Sequence, residues 1–238
     1  MESLFDLNWT APADFTPLKP GESHIWATSI DQPLSVYFEL KSFLSLDEQV
    51  KAARFRTSQS RQQFVLGRGL LRKLLGYYLD EHPSELSFVY GEHGKPILFN
   101  PIGGSIRFNV SHTGELVLLA FSFADEIGVD VEQVRSVPEA DVIAERFFSR
   151  EEVAELANAG AEKRDVFFKI WTCKEALLKC SGVGFGGNTS PCKDLTVHEL
   201  RPAPGYMAAV AVASPETHFQ TMRWSHEIFS PRAGVMML

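Results

Sequence analysis

The chain has 238 residues, a net charge of −7 and an ordinary globular composition, 45% hydrophobic and 22% charged. That length supports one large domain or two modest ones with a sizeable core, and the acidic balance disfavours general binding to nucleic acid or to anionic membranes. Three cysteines, Cys173, Cys180 and Cys192, form no CxxC pair, which argues against a disulfide framework or a zinc site and for a reducing, cytoplasmic setting.

The N-terminal MESLFDLNWT is acidic and lacks the apolar stretch of a signal peptide. The longest apolar runs, LVLLAF and MAAVAVA, have strand length and are too short to cross a bilayer. In FLSLDEQVKAARF, Ser45 stands three residues before Glu48, the spacing of a capping box, which predicts a helix start. A longer helix is predicted over RQQFVLGRGLLRKLLGYYL, where Phe64, Leu71, Leu74, Leu75 and Tyr78 follow helical spacing. From Lys51 to Leu79 there are seven basic residues, Lys51, Arg54, Arg56, Arg61, Arg68, Arg72 and Lys73, and no acidic one until Asp80. Such a block in an acidic protein is either a local anion site or a solvated helix face.

EHGKPIL sets Gly94, Lys95 and Pro96 in a turn before a short apolar run. Its lysine is an exposed turn residue or an anion contact. SIRFNVS alternates Ile106, Phe108 and Val110 against Arg107, Asn109 and Ser111. ELVLLAFSF follows a turn at His112, Thr113 and Gly114, and IGVDVEQV follows a turn at Ala124, Asp125 and Glu126. The three are expected to form an antiparallel meander. Ser111 beside His112 makes no hydrolase triad, because triad partners meet through the fold, and no G-x-S-x-G elbow occurs. A hydroxyl and an imidazole at a strand end can instead bind phosphate. In IGVDVEQV, Ile127, Val129 and Val131 share one face and Gly128, Asp130 and Glu132 the other. Paired carboxylates there are a solvated strand face or half of a site for a hard divalent cation, which takes oxygen ligands.

The layout then repeats at an offset of 103 to 104 residues. FFSREEVAELANAG carries a second capping box, Ser149 with Glu152, and RDVFFKIWTCKEALLKCSG a second long helix with Phe167, Ile170, Trp171, Leu177 and Leu178 on its apolar face. Trp171, Glu175 and Lys179 lie on one helical stripe. A Glu–Lys pair at this spacing is commonly a surface ion pair. A tryptophan on the same stripe implies a partly buried edge, where a third carboxylate and a lysine would complete a metal-and-phosphate site. GVGFGG, Gly182 to Gly187, looks like a nucleotide loop but follows a helix instead of joining a strand to one, so the Rossmann reading fails. YMAAVAVAS and HFQTMRWSH read as two further strands. The expected fold is α+β, a pseudo-twofold arrangement of two similar lobes, 1–125 and 126–238, each a long helix on a small antiparallel sheet, with a ligand cleft between them.

GKP, FNVSHTG, IGVDVEQV, RFFSREE and FFKIWTCKEALLKCSGVGF stand in this order between Gly94 and Phe185. Together they resemble the 4'-phosphopantetheinyl transferases, specifically the long, two-lobed Sfp-like type; RQQFVLGRGLLR matches more loosely. The resemblance implies Mg²⁺-dependent transfer of 4'-phosphopantetheine from coenzyme A to a serine of an apo acyl, polyketide or peptidyl carrier protein, with release of 3',5'-ADP. By motif position it implies Asp130, Glu132 and Glu175 as the metal site and Lys179 as the diphosphate contact. It sets Gly94, Lys95, Asn109, Ser111 and His112 around the adenosine and 3'-phosphate, with Arg68 as a further coenzyme A contact. Glu175 and Lys179 are then the catalytic pair, Glu175 taking the serine proton. A metal-bound water and Glu152 are the other candidate bases; Glu152 has an ordinary capping role, and Cys173 is given no catalytic one. Gln62 and Gln63 stand where some relatives carry basic residues. Two similar halves already form an internal pseudo-dimer, so a monomer is expected.

Overall fold

The computed structural model describes residues 8–91, 94–99, 106–182 and 195–226. In chain order, β1 (Glu22–Ser29) leads to α1 (Leu34–Ser42), α2 (Leu46–Ala53) and α3 (Ser58–Leu79). Next come β2 (Phe88–Tyr90), β3 (Pro96–Leu98), β4 (Ile106–Thr113) and β5 (Leu116–Phe123). The second half runs β6 (Ile127–Gln133), α4 (Ala140–Phe147), α5 (Arg150–Asn158), α6 (Lys163–Ser181), β7 (Thr196–Leu200), β8 (Tyr206–Val212) and β9 (His218–Arg223). The fold is α+β, and among the described residues no helix is long and apolar enough to cross a membrane.

Side-chain alternation stacks these elements in layers. In β5, Val117, Leu119 and Phe121 join Leu70, Leu71 and Leu74 of α3 in one core. Leu116, Leu118 and Ala120, on the opposite face, join Ile127, Val129, Val131 and Val210 in a second. The order is therefore α3, a sheet β4-β5-β1-β9, a sheet β6-β8-β7, and α6, which packs Ala176 and Cys180 on Ala209 and Ala211. Small residues at that last contact let the helix lie close. Gly128 of β6 is the extreme case: a Cβ there would collide with the Ala176 carbonyl oxygen and the Cys180 backbone.

The expected meander does not form. β4 and β5 pair antiparallel, Asn109 opposite Ala120, but β6 pairs with β8, Asp130 opposite Ala209. The other edge of β5 is already taken by β1, Trp26 opposite Leu119. With β5 flanked on both sides, β6 has no free ladder there and crosses to the second sheet. β9 makes the reverse journey and pairs parallel with β1, Ile25 opposite Thr221.

Both capping boxes are present. The Ser149 N–H donates to Glu152 at 2.6 Å and the Glu152 N–H to Ser149 Oγ at 3.2 Å. Glu48 accepts from the Ser45 N–H at 3.0 Å and does more. It is 1% exposed and holds Arg72 at 2.7 Å and Arg68 at 3.5 Å. Arg72 is buried as well and also donates to the carbonyls of Pro83 and Leu86. Lys73 pairs with Glu39 at 2.6 Å, and Arg61 donates to the Phe55 carbonyl. The basic block is thus neither one anion site nor one solvated face. Arg72 and Lys73 bind α3 to its neighbours, while Lys51 and Arg68 face a cleft.

A buried polar cluster closes the end of α3 against β1. The Trp26 indole donates to the Tyr78 hydroxyl at 2.8 Å, and that hydroxyl lies 2.8 Å from Nδ1 of His24. The direction of the bond between Tyr78 and Nδ1 follows the His24 tautomer, since the phenolic oxygen can accept twice. Burial pushes the His24 pKa down to about 4, against a weaker upward pull from Glu22. Well above pH 6.5 neither folded nor unfolded chain is protonated at this residue. Below it the unfolded chain takes up the proton first, so stability is lost as pH falls towards 4. Urea denaturation should show a loss of about 2 kcal/mol at pH 5 relative to pH 8 from this residue. His24→Gln should remove that part of the slope, and an unchanged slope in the variant would contradict the assignment.

Candidate active site

β6 and α6 meet over Gly128, and the same strand face carries Asp130 and Glu132 beyond it. Asp130 is 4% exposed, and its Oδ1 lies 2.5 Å from the ammonium of Lys179. Ser111 of β4 completes the triangle. Its hydroxyl accepts from Lys179 at 3.1 Å and from the Val131 N–H at 3.3 Å, and donates to Asp130 Oδ1 at 2.9 Å. Asn109, two residues earlier, accepts the Val129 N–H at 2.9 Å, and Thr113 donates to Glu132 at 3.3 Å. Alternate side chains of β4 therefore stand in for the ladder that β4 and β6 lack. Sequence reading gave Asn109 and Ser111 only ligand-binding roles. The signal for this second role is a strand apolar on one face, with short hydrogen-bonding side chains at every second position on the other.

The other Asp130 oxygen, Oδ2, is buried and has no hydrogen-bond partner. Glu175, one turn before Lys179, lines the cleft. Burial raises its pKa most, Asp130 raises it further, and Glu132 adds to this against the lowering effect of Lys179. Asp130 and Glu175 both sense Lys179, whereas Glu132 pairs with Arg135 at 3.1 Å. Among the described residues no group of three His, Cys, Asp or Glu side chains is gathered so as to hold a metal ion. An orphaned buried carboxylate oxygen and an all-oxygen donor set nonetheless suit a hard divalent cation.

The cleft has a volume of about 540 Å³. One wall is basic and aromatic: Lys51, Phe64 and Arg68. The Arg68 guanidinium lies over the rings of Phe88 and Tyr90, and its buried Nη1 has no hydrogen-bond partner. Burial lowers the Arg68 pKa, with Glu48 opposing. Gly94, at φ +75°, turns the β2–β3 hairpin, and Gly94, Lys95 and Pro96 line the cleft with Asn109 and His112. Burial and then Lys179 lower the His112 pKa, favouring the neutral imidazole. Glu175, Lys179 and Gly182 form the α6 side. Of the expected site residues, Arg68, Gly94, Lys95, Asn109, His112, Glu175 and Lys179 line the cleft, while Ser111, Asp130 and Glu132 do not; Asn109 and Ser111 already bond to β6, Lys95 to backbone carbonyls, and Glu132 to Thr113 and Arg135. Gly182 ends α6 in the left-handed region at φ +71°; the rest of GVGFGG and Cys192 lie outside the described residues. Trp171 is half-buried, stacked on Phe167. Glu152, besides its cap, pairs with Lys174 at 2.8 Å. Burial raises the Cys173 thiol to about 11, which makes it a poor nucleophile.

The cleft is lined by four cationic side chains, Lys51, Arg68, Lys95 and Lys179, against one carboxylate, Glu175, a balance that favours an anionic ligand. Comparison with known proteins narrows this class. The profile of the 4'-phosphopantetheinyl transferase superfamily matches residues 126–228, and that of the 4'-phosphopantetheinyl transferase N-terminal region matches residues 29–124. The chain is 37% identical over 221 residues to 4'-phosphopantetheinyl transferase HetI of Nostoc sp., covering 86% of this chain and 93% of that protein. It is 31% identical over 218 residues to 4'-phosphopantetheinyl transferase Sfp of Bacillus subtilis, covering 81% and 93%. The protein belongs to the 4'-phosphopantetheinyl transferase superfamily, in its Sfp-like type.

Proposed function

We propose that the protein transfers the 4'-phosphopantetheine group of coenzyme A to a serine of an apo acyl, polyketide or peptidyl carrier protein, releasing 3',5'-ADP. The observation that carries this reading is the buried Asp130 carboxylate, one oxygen on Lys179 and the other unpartnered, beside a cleft faced by Lys51 and Arg68. The chain would work as a cytoplasmic monomer, with the cleft between lobes 1–125 and 126–238.

Asp130, Glu132 and Glu175 would hold Mg²⁺, whose charge neutralises the diphosphate of coenzyme A when bound. Lys179 stabilises the charge that develops on the departing phosphate oxygen. The carrier serine attacks phosphorus, a new P–O bond forms, and the bond to the 3',5'-ADP oxygen breaks. Glu175 takes the serine proton; burial and then Asp130 raise its proton affinity above that of an ordinary carboxylate. His112, Asn109, Ser111, Gly94 and Lys95 border the adenosine and 3'-phosphate end, with Arg68 offering its free Nη1 to a phosphate. The direct test is mass spectrometry of candidate apo carriers incubated with the protein, coenzyme A and Mg²⁺. The expected result is a gain of one phosphopantetheine mass on a serine, abolished by Lys179→Ala or Glu175→Ala. No gain on any carrier of the three classes would overturn the proposal.

A further inference from the structure

Lys95 does not point a free ammonium into the cleft. Its Nζ donates to the Lys179 carbonyl at 2.8 Å, and to the Ile127 carbonyl and a Glu126 carboxylate oxygen at 3.5 Å each. The 2.8 Å bond to the Lys179 carbonyl is the strong one, and the two oxygens at 3.5 Å hold the ammonium on the same side. The three oxygens come from two places in the chain: the last turn of α6, and the start of β6 at Ile127 with Glu126 just before it. Carbonyls in the last turn of a helix carry negative partial charge and attract a cation. The hairpin that carries Lys95 is small, two strands of three residues each, seated on the core through Phe88 and Leu98. One side chain thus fastens the hairpin of the first half to the helix end of the second.

The carbonyl it grips belongs to Lys179, whose own side chain stands 2.5 Å from Asp130. We infer that Lys95 is a positioning residue: it holds the C-terminal turn of α6, and so the Lys179 ammonium, against β6, and it does not serve as a phosphate ligand. This rests on the transferase reading for its kinetic part only. A phosphate ligand changes how tightly coenzyme A binds. A residue that places Lys179 changes the rate of the bound complex, where misplacement of a reacting group by about 1 Å costs up to roughly 100-fold.

The test is Lys95→Met, measured in two ways. In the free protein, hydrogen exchange of the Leu178–Ser181 amides should quicken about fivefold to tenfold while β8 amides stay as they were. In carrier modification, kcat should fall roughly 10–100-fold with KM for coenzyme A little changed, and the preference for coenzyme A over 3'-dephospho-coenzyme A should persist. Unaltered exchange at Leu178–Ser181 would overturn the inference. So would a raised KM at full kcat together with loss of the 3'-phosphate preference, the signature of a direct phosphate contact. If the wild-type protein modifies no carrier, the transferase reading fails, and the exchange experiment still decides the role of Lys95.

Discussion

Gly128→Ala should cost the protein more stability than any other single-methyl addition to β6. The added Cβ would meet the Ala176 carbonyl oxygen and the Cys180 backbone, with Cys180 Cα at 2.9 Å. These atoms belong to a helix packed through Ala176 and Cys180 on Ala209 and Ala211, so no flexible side chain can swing away. Relief requires α6 to lift from β6. Overpacking of a tight core costs about 1–3 kcal/mol, and backbone collisions lie at the upper end or beyond. Denaturation should therefore show a loss of about 3 kcal/mol or more. Lifting α6 also carries Glu175 and Lys179 away from Asp130, so any folded variant should have lost most transfer activity. A variant as stable and active as the parent would show that α6 does not rest on Gly128.

Asp130→Asn should have the larger effect on chemistry and a small one on the fold. The amide keeps the size of the carboxylate and can still accept from Ser111. It removes the charge that faces Lys179. The lysine side chain is 29% exposed and can turn to water, so the stability cost should be near 1 kcal/mol. Transfer should fall by roughly 1,000-fold or more, because a preorganised charge at a phosphoryl-transfer centre contributes several kcal/mol to the transition state. Single-turnover modification of an apo carrier, followed by mass spectrometry beside a urea titration, separates the two effects. Near-normal transfer would remove Asp130 from the proposed metal site.

How far the sequence speaks differs from element to element, for physical reasons. Alternation in IGVDVEQV told which side chains share a face, and in the fold Ile127, Val129 and Val131 do lie in the core between the sheets. Alternation does not tell which strand lies alongside. That depends on which edges are free, and β1, whose pairing closes the edge of β5, escaped notice. Its two faces are both buried, so Ile25 and Ala27 on one side and Trp26 on the other give no polar rhythm to read. The boxes at Ser45 and Ser149 were legible because capping is local. The grip of Glu48 on Arg72, 24 residues further along, was not, because it depends on how α2 folds back along α3. Trp171 correctly marked the α6 stripe as half-buried. Nothing local in GKP announces that its lysine ends on a helix carbonyl 84 residues away.

The return of β9 to the first sheet has a consequence for how the protein is made. During synthesis β1 emerges early and gains β5 as a neighbour about a hundred residues later, but its other flank waits for residues 218–223. Until then one side of a strand at the heart of the molecule is an open edge, able to pair with a neighbouring nascent chain. Pairing with β9 is what covers that flank, so a chain in which residues 218–223 have not yet docked presents a sticky edge that the completed sheet hides.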